Sequence, residues 1–296
     1  MGWADVGYHS DHILSPNIDT LAADGVVLNQ FYTHSVGVQS RTALFTAVHP
    51  IHTGYHGPEL AQCSPTGLPL HHKLWPQYMK QYDYSTHIVG KWQLGFARKD
   101  YTPTHRGFDS HVGFWSYFKH YYQHTGCESP RAFNTSHPIC GHDFRHNMTS
   151  TTEGTGVYAT HLYRDRYNHD QSRPLFLVLS HQALHAYNLI QPDPGYIPYM
   201  DRFAYIANKR RQTLAAMAYA LDESIGAVVQ RLQTRQMLNN SIVVFVSDGG
   251  PNISLRVPAF IWSPLLAKSG YISDALFDVA DVLPTVLEAV IDSHHN

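Results

Sequence analysis

The sequence predicts an α/β fold: a three-layer α/β/α sandwich around a mostly parallel sheet. Continuous apolar runs at 175–179, 242–246 and 257–262 have the make-up of strands buried on both faces. Helix-like segments alternate with them. In 209–232, apolar residues recur at Leu214, Met217, Leu221, Ile225, Val228 and Val229, the period of one helix face. The chain has 296 residues, 43% of them hydrophobic and 15% charged, enough to bury a large core. No linker-like stretch divides it, so residues 1–296 read as one domain.

The elements follow in order. Ser15-Pro16-Asn17 opens a helix with proline in its first turn, and Gly25 stops it. Residues 26–32 are an apolar, partly alternating strand. Residues 41–48 read as a short helix. The spacing of Leu70, Leu74, Tyr78 and Met79 predicts a helix over 70–82. A strand at 85–90 follows. The aromatic-, glycine- and histidine-rich stretch 107–140 reads as an excursion outside the regular layers. A helix is expected at 158–168, a strand at 175–179, a loop at 192–198 and a long helix at 209–232. Strands at 242–246 and 257–262 precede a last helix at 279–291.

Composition excludes several classes. The formal charge of −2 gives no electrostatic case for a nucleic-acid or anionic-membrane partner. No apolar run reaches the roughly 18 residues that span a bilayer. Met1 leads into Gly2-Trp3-Ala4-Asp5 without the basic and apolar regions of a signal peptide. The 22 histidines are scattered; the pairs His71-His72 and His294-His295 lack partners at zinc-like spacing. Cys127 and Cys140 flank a loop that a disulfide could close in an exported protein. Cys63 is left as a free thiol or the partner of a thiol elsewhere. Glycosylation sequons stand at Asn134, Asn147, Asn239 and Asn252. Together with the disulfide they favour secretory, lysosomal or extracellular ancestry, against the missing signal peptide.

Ligands of parallel α/β sheets gather at the carboxyl ends of strands. Four segments occupy such ends: 37–41 after the strand at 26–34, Lys91 after 85–90, His185 after 175–179, and Asp248 after 242–246. If these strands are neighbours, the segments converge on one crevice.

Six motifs carry a family resemblance. They are Gly37-Val38-Gln39-Ser40-Arg41, Gly90-Lys91-Trp92-Gln93-Leu94-Gly95, Ser15-Pro16-Asn17-Ile18-Asp19-Thr20-Leu21-Ala22, Pro103-Thr104-His105-Arg106-Gly107-Phe108-Asp109, Pro174-Leu175-Phe176-Leu177 and Asp281-Val282-Leu283-Pro284-Thr285. In this order, over nearly the whole chain, they resemble the sulfatase family, in particular its arylsulfatase B-like branch. The resemblance implies an alkaline-phosphatase-like sandwich, here without its first strand and its smaller C-terminal antiparallel domain. It implies sulfuric ester hydrolysis of the arylsulfatase or N-acetylgalactosamine-4-sulfatase type, on sulfated glycans or aryl sulfates. In that chemistry calcium neutralises the sulfate, and a formylglycine made from the Cys of Cys-x-Pro-Ser-Arg attacks sulfur.

The chain departs from that pattern at the positions that matter most. Gly37 stands at the nucleophile Cys, Gln39 at the Pro, Gln93 at a catalytic His and Gly249 at a metal-binding Asn. The paired Asp residues that precede Gly-Trp in the family would lie before Met1. The second catalytic Lys is missing between Asp248 and Arg256-Val257-Pro258. Arg41, Lys91 and His185 are retained, as is the metal-binding Asp248. Each also has a plain structural alternative: a helix brace, a solvated lysine, a core histidine and a turn former. The expectation is an inactive or severely impaired sulfatase relative with weak or no calcium binding. It would bind sulfated glycan through Arg41, Lys91 and His185. The rival readings are a functional arylsulfatase whose chain is incompletely represented, and a decayed gene fragment.

Overall fold

The computed structural model describes residues 1–55, 64–128, 135–165, 171–185, 197–250 and 254–295. Cys63, Asn134, Asn252 and most of the 192–198 loop lie outside these residues. In chain order the elements are α1 Pro16–Asp24, β1 Val26–Tyr32, α2 Gly37–Thr46, α3 Pro50–Thr53, α4 Trp75–Met79, β2 Ser85–Lys91, β3 Ser110–Phe114, β4 Thr125–Glu128, β5 Ile139–His142, β6 Arg145–His146, β7 Thr149–Ser150, α5 Ala159–Asp165, β8 Leu175–Ser180, α6 Lys209–Thr234, β9 Val243–Val246, β10 Ala259–Trp262, β11 Tyr271–Asp278 and α7 Val282–His295. They form two compact units, each made of two chain segments: Met1–Ser35 with Ala183–Val279, and Val36–Gln182 with Ala280–Asn296. Among the described residues no helix is long and apolar enough to cross a membrane.

The first unit holds a four-stranded sheet in the order β11-β1-β10-β9. β1 runs parallel to β11 and antiparallel to β10, and β10 is antiparallel to β9. The expected parallel pairing thus fails for β9 and β10. A parallel return needs a crossover, usually helical, and the described residues between β9 and β10 hold no helix. β9 is also less covered than its apolar sequence suggests, every residue being only half-buried, whereas β10 is buried at Ala259, Phe260 and Trp262. β11 was not anticipated. It is an edge strand with Ile272 and Leu276 exposed, so it lacks the one-sided alternation that marks a strand in sequence.

The core of this unit joins α1 to the sheet through Ile18, Leu21, Ala22, Val27, Phe260 and Trp262. α1 docks on α6 by a buried polar contact. Asp222, fully buried, accepts from the backbone N–H of Ile18 at 2.8 Å and from Asn17 Nδ2 at 2.7 Å. One carboxylate thereby satisfies an N-terminal amide of α1, an orphan of helix geometry. Burial pushes the Asp222 carboxyl above its ordinary range. α6 itself begins at Asn208, whose side chain accepts from the amides of Arg210 and Arg211.

The second unit holds a five-stranded sheet, β7-β6-β3-β2-β8, and a β4–β5 hairpin. Here β8, β2 and β3 are parallel, as the apolar run at 175–179 predicts. The 107–140 stretch contains strands after all: β3 lies inside the sheet, and its polar-looking His111 is fully buried. Its alternation is hidden because His and Gly occupy inward positions. The helix expected over 70–82 shortens to α4 and a 3-10 turn at Lys80–Tyr82. Pro76 suits only the first turn of a helix, and Gln77 Oε1 caps the start by accepting from Leu74 N at 2.8 Å. α2 begins four residues earlier than expected, which makes Gly37 its first residue. Phe45, Trp92, Phe108, Phe176 and Trp75 pack ring to ring at 5.0–6.3 Å and seat α2 and α4 on the sheet. Cys127 and Cys140 face each other across β4 and β5 and form the expected disulfide.

Asp222→Ala leaves two buried donors without an acceptor. We expect it to lower unfolding free energy by about 3 kcal/mol, measured by urea titration.

Candidate active site

In the second unit, three parallel strands end together. Their approach depends on two glycines. Gly90 has φ +107°, and a Cβ there would lie 1.9 Å from Ser180 O. Gly113 has φ +153°, and its Cβ would lie 2.0 Å from Gly90 O. No side chain fits at either point, so β8, β2 and β3 close up where the site begins.

Arg41 locks these ends to α2. Its Nε donates to Trp92 O at 2.9 Å, one terminal nitrogen to Ser180 Oγ at 2.8 Å, and the other to Lys91 O. The guanidinium lies over the Phe45 ring at 5.8 Å, and the side chain is buried. The helix brace weighed from sequence is therefore what Arg41 does in the structure. Lys91 is the last residue of β2 and is buried. Trp92 points into the core and donates from its indole to Gly95 O and Tyr101 O, each at 3.0 Å. Gln93 turns the chain at φ +59°, is 2% exposed, and donates its backbone N–H to Trp115 O at 3.1 Å. Gly37 is half-buried at the start of α2, Ser40 is fully buried and Ser35 is exposed.

The other retained positions belong to the first unit. Asp248 is half-buried just past β9. Gly249 follows it, and a Cβ there would meet nothing within 4 Å. His185 is half-buried at the edge of the described residues. The strands at 26–34 and 85–90 are not paired neighbours: β1 pairs with β10 and β11, β2 with β3 and β8. Among the described residues no three His, Cys, Asp or Glu side chains gather as a metal site.

Several residues near the strand ends were not singled out from sequence. Trp115, one residue past β3, is held by Asp143, whose Oδ2 accepts from the amides of Trp115 and Ser116 at 3.1 and 2.8 Å. Arg145 stacks over the Trp115 ring at 3.9 Å and pairs with Asp143 at 3.5 Å. Gln182, two residues past β8, donates to Lys119 O. Lys119 is itself fully buried among Phe114, Phe144 and Tyr163, with Nζ 2.7 Å from His124 Nδ1. Burial pushes this amine well below the ordinary lysine range. The position just beyond a parallel strand was the only sequence signal available for Trp115 and Gln182.

Polar and cationic residues collected where parallel strands end define an α/β frame of the alkaline-phosphatase-like class. Solved structures share it. Ps i-CgsB in complex with k-i-k-neocarrahexaose matches with TM-score 0.80 and 26% identity, over 99% of this chain and 70% of that one. PsFucS1 sulfatase from Pseudoalteromonas sp. matches with TM-score 0.74 and 22% identity, over 99% of this chain and 66% of that one. Residues 1–293 match the Sulfatase family, and the chain belongs to it. It is 36% identical to Arylsulfatase J of Mus musculus over 313 residues, covering 97% of this chain and 50% of the relative. It is 24% identical to N-acetylgalactosamine-6-sulfatase of Homo sapiens over 322 residues, covering 97% and 59%. The chain thus spans about half the length of the curated relatives it matches.

Two buried histidines give this unit a pH dependence. His111 Nε2 lies 3.2 Å from Gly90 O, and burial lowers its pKa to about 4. His124 Nε2 lies 3.0 Å from Gly154 O; burial, then the neighbouring Lys119, lower its pKa to about 3. Both are bases with depressed folded values, so the unfolded chain binds more protons below the ordinary value of 6.5. Stability is complete above that value and falls as pH drops toward 4 and then 3. We expect each to remove about 2 kcal/mol between about pH 7 and pH 5; denaturant titrations of His111→Gln and His124→Gln should show a flatter acid limb. Arg41→Met strands the Trp92 and Lys91 carbonyls and should cost about 3 kcal/mol by the same measurement.

Proposed function

We propose that this chain is a sulfatase-family protein that no longer turns over sulfuric esters and keeps a glycan-binding role. The observation that carries the reading is Gly37 at the nucleophile position, the first residue of α2. A glycine has no side chain to oxidise, and without the attacking oxygen the remaining groups lose most of their value, because a nucleophile and its partners act as a unit. Ser40 is sealed in the helix and Ser35 lies outside it, so neither is a ready substitute.

The rest of the constellation supports the same reading. Gln93 can hydrogen-bond, but unlike a histidine it cannot carry a proton near neutrality. Asp248 and Gly249 offer one carboxylate where calcium wants several charged oxygens, so metal binding is weak or absent in this reading. Arg41 spends its guanidinium on protein acceptors and serves the frame more than a sulfate. The glycan class is carried over from relatives such as N-acetylgalactosamine-6-sulfatase. The Cys127–Cys140 disulfide and the exposed sequon at Asn239 support a secretory or lysosomal setting, while the amide oxygen of Asn147 accepts from His111 N at 2.9 Å. A functional arylsulfatase represented only in part would also fit the coverage of its relatives, but added sequence cannot replace Gly37.

Purified protein should hydrolyse 4-nitrocatechol sulfate no faster than buffer, with or without calcium. Turnover that disappears in Lys91→Ala would refute the proposal. Gly37→Cys combined with Gln39→Pro, expressed with a formylglycine-generating enzyme, should stay inactive; gained turnover would show that the site outside Gly37 and Gln39 is intact.

A further inference from the structure

Each of the three parallel strands in the second unit is followed, within two residues, by a buried neutral side chain with an unpaired polar atom. Gln93 follows β2, Trp115 follows β3 and Gln182 follows β8. They are 2%, 5% and 4% exposed. Among the described residues, both amide atoms of Gln93, the indole N–H of Trp115 and Oε1 of Gln182 have no partner. The assignment at Gln182 is fixed, because its Nε2 must donate to the Lys119 carbonyl. A buried polar atom without a partner costs about 1–3 kcal/mol, so three such side chains at one set of strand ends call for a ligand.

We propose that these strand ends bind the hydroxyl-bearing, unsulfated form of a glycan in preference to its sulfate ester. The inference rests on the glycan-binding reading above and names the ligand's chemical state. The unpaired set offers two kinds of donor, the Gln93 amide N–H and the Trp115 indole N–H. It also offers two acceptors, the amide oxygens of Gln93 and Gln182. Sugar hydroxyls donate and accept, and so can satisfy all four. Sulfate oxygens only accept, which leaves both amide oxygens facing lone pairs. Of the described cations at these strand ends, Arg41 is used on Trp92, Lys91 and Ser180, and Arg145 is matched by Asp143, which leaves the Lys91 ammonium as the one charge a sulfate could engage. Phe96, half-buried and tilted against Trp115 at 6.2 Å, adds an aromatic face of the kind that packs on sugar C–H groups.

The test measures binding of the full chain to an N-acetylgalactosamine-containing oligosaccharide in unsulfated and 6-O-sulfated form, by calorimetry. The unsulfated form should bind at least tenfold tighter. Gln93→Met should weaken it about tenfold without lowering the thermal midpoint, since the substitution removes an unsatisfied amide. Gln93→His should shift preference toward the sulfated form. Tighter binding of the sulfated form to the unmutated protein overturns the inference and leaves the glycan-binding reading standing. Binding of neither form overturns both. Unchanged binding in Gln93→Met, or a fallen midpoint, assigns Gln93 a structural role and overturns the inference.

Discussion

The close approach of β8, β2 and β3 at Gly90 and Gly113 is the constraint on which the site depends. It brings the carbonyls of Lys91 and Trp92 and the hydroxyl of Ser180 within reach of one guanidinium. A planar fork with five donors can span three acceptors on two strands, which an ammonium cannot do. Arg41 therefore converts the register of two strands into the position of α2, and with it the position of Gly37. Arg41 thus has a structural reason to be present whatever its part in chemistry.

The motifs of the family are kept unevenly in this chain. The frame is intact where it is built from packing: the aromatic stack from Phe45 to Trp75, the Arg41 clamp and the Asp222 bridge between α1 and α6. The departures from the family motifs fall at Gly37, Gln93 and Gly249. Among the described residues a Cβ at Gly249 would meet no neighbour within 4 Å.

The buried histidines and Lys119 show how much polar chemistry the second unit holds away from water. His111 and His124 sit beside backbone carbonyls, which suits a neutral ring with one N–H. Lys119 is surrounded by three aromatic faces and an imidazole, with Asp143 acting only at longer range. Such an arrangement holds while the rings remain neutral, which burial ensures in the folded chain down to about pH 4 for His111 and about pH 3 for His124.

By itself the sequence determined the α/β class, the helices at Pro16–Asp24 and Lys209–Thr234, the parallel strand at Leu175–Ser180, and the family. These are local facts: apolar period, capping residues and motif order survive without coordinates. Tertiary structure decided the rest. β9 and β10 run antiparallel because of what connects them, and β11 is an edge strand whose exposed Ile272 and Leu276 blur its pattern. α2 starts at Gly37, four residues before the run read from the sequence. Most of all, the use of Arg41 on carbonyls and the unpaired polar atoms of the Gln93 amide and of Gln182 Oε1 are matters of which atoms meet. Hydrogen-bond partners far apart in the chain leave no trace in composition or period, so only the folded arrangement reveals them.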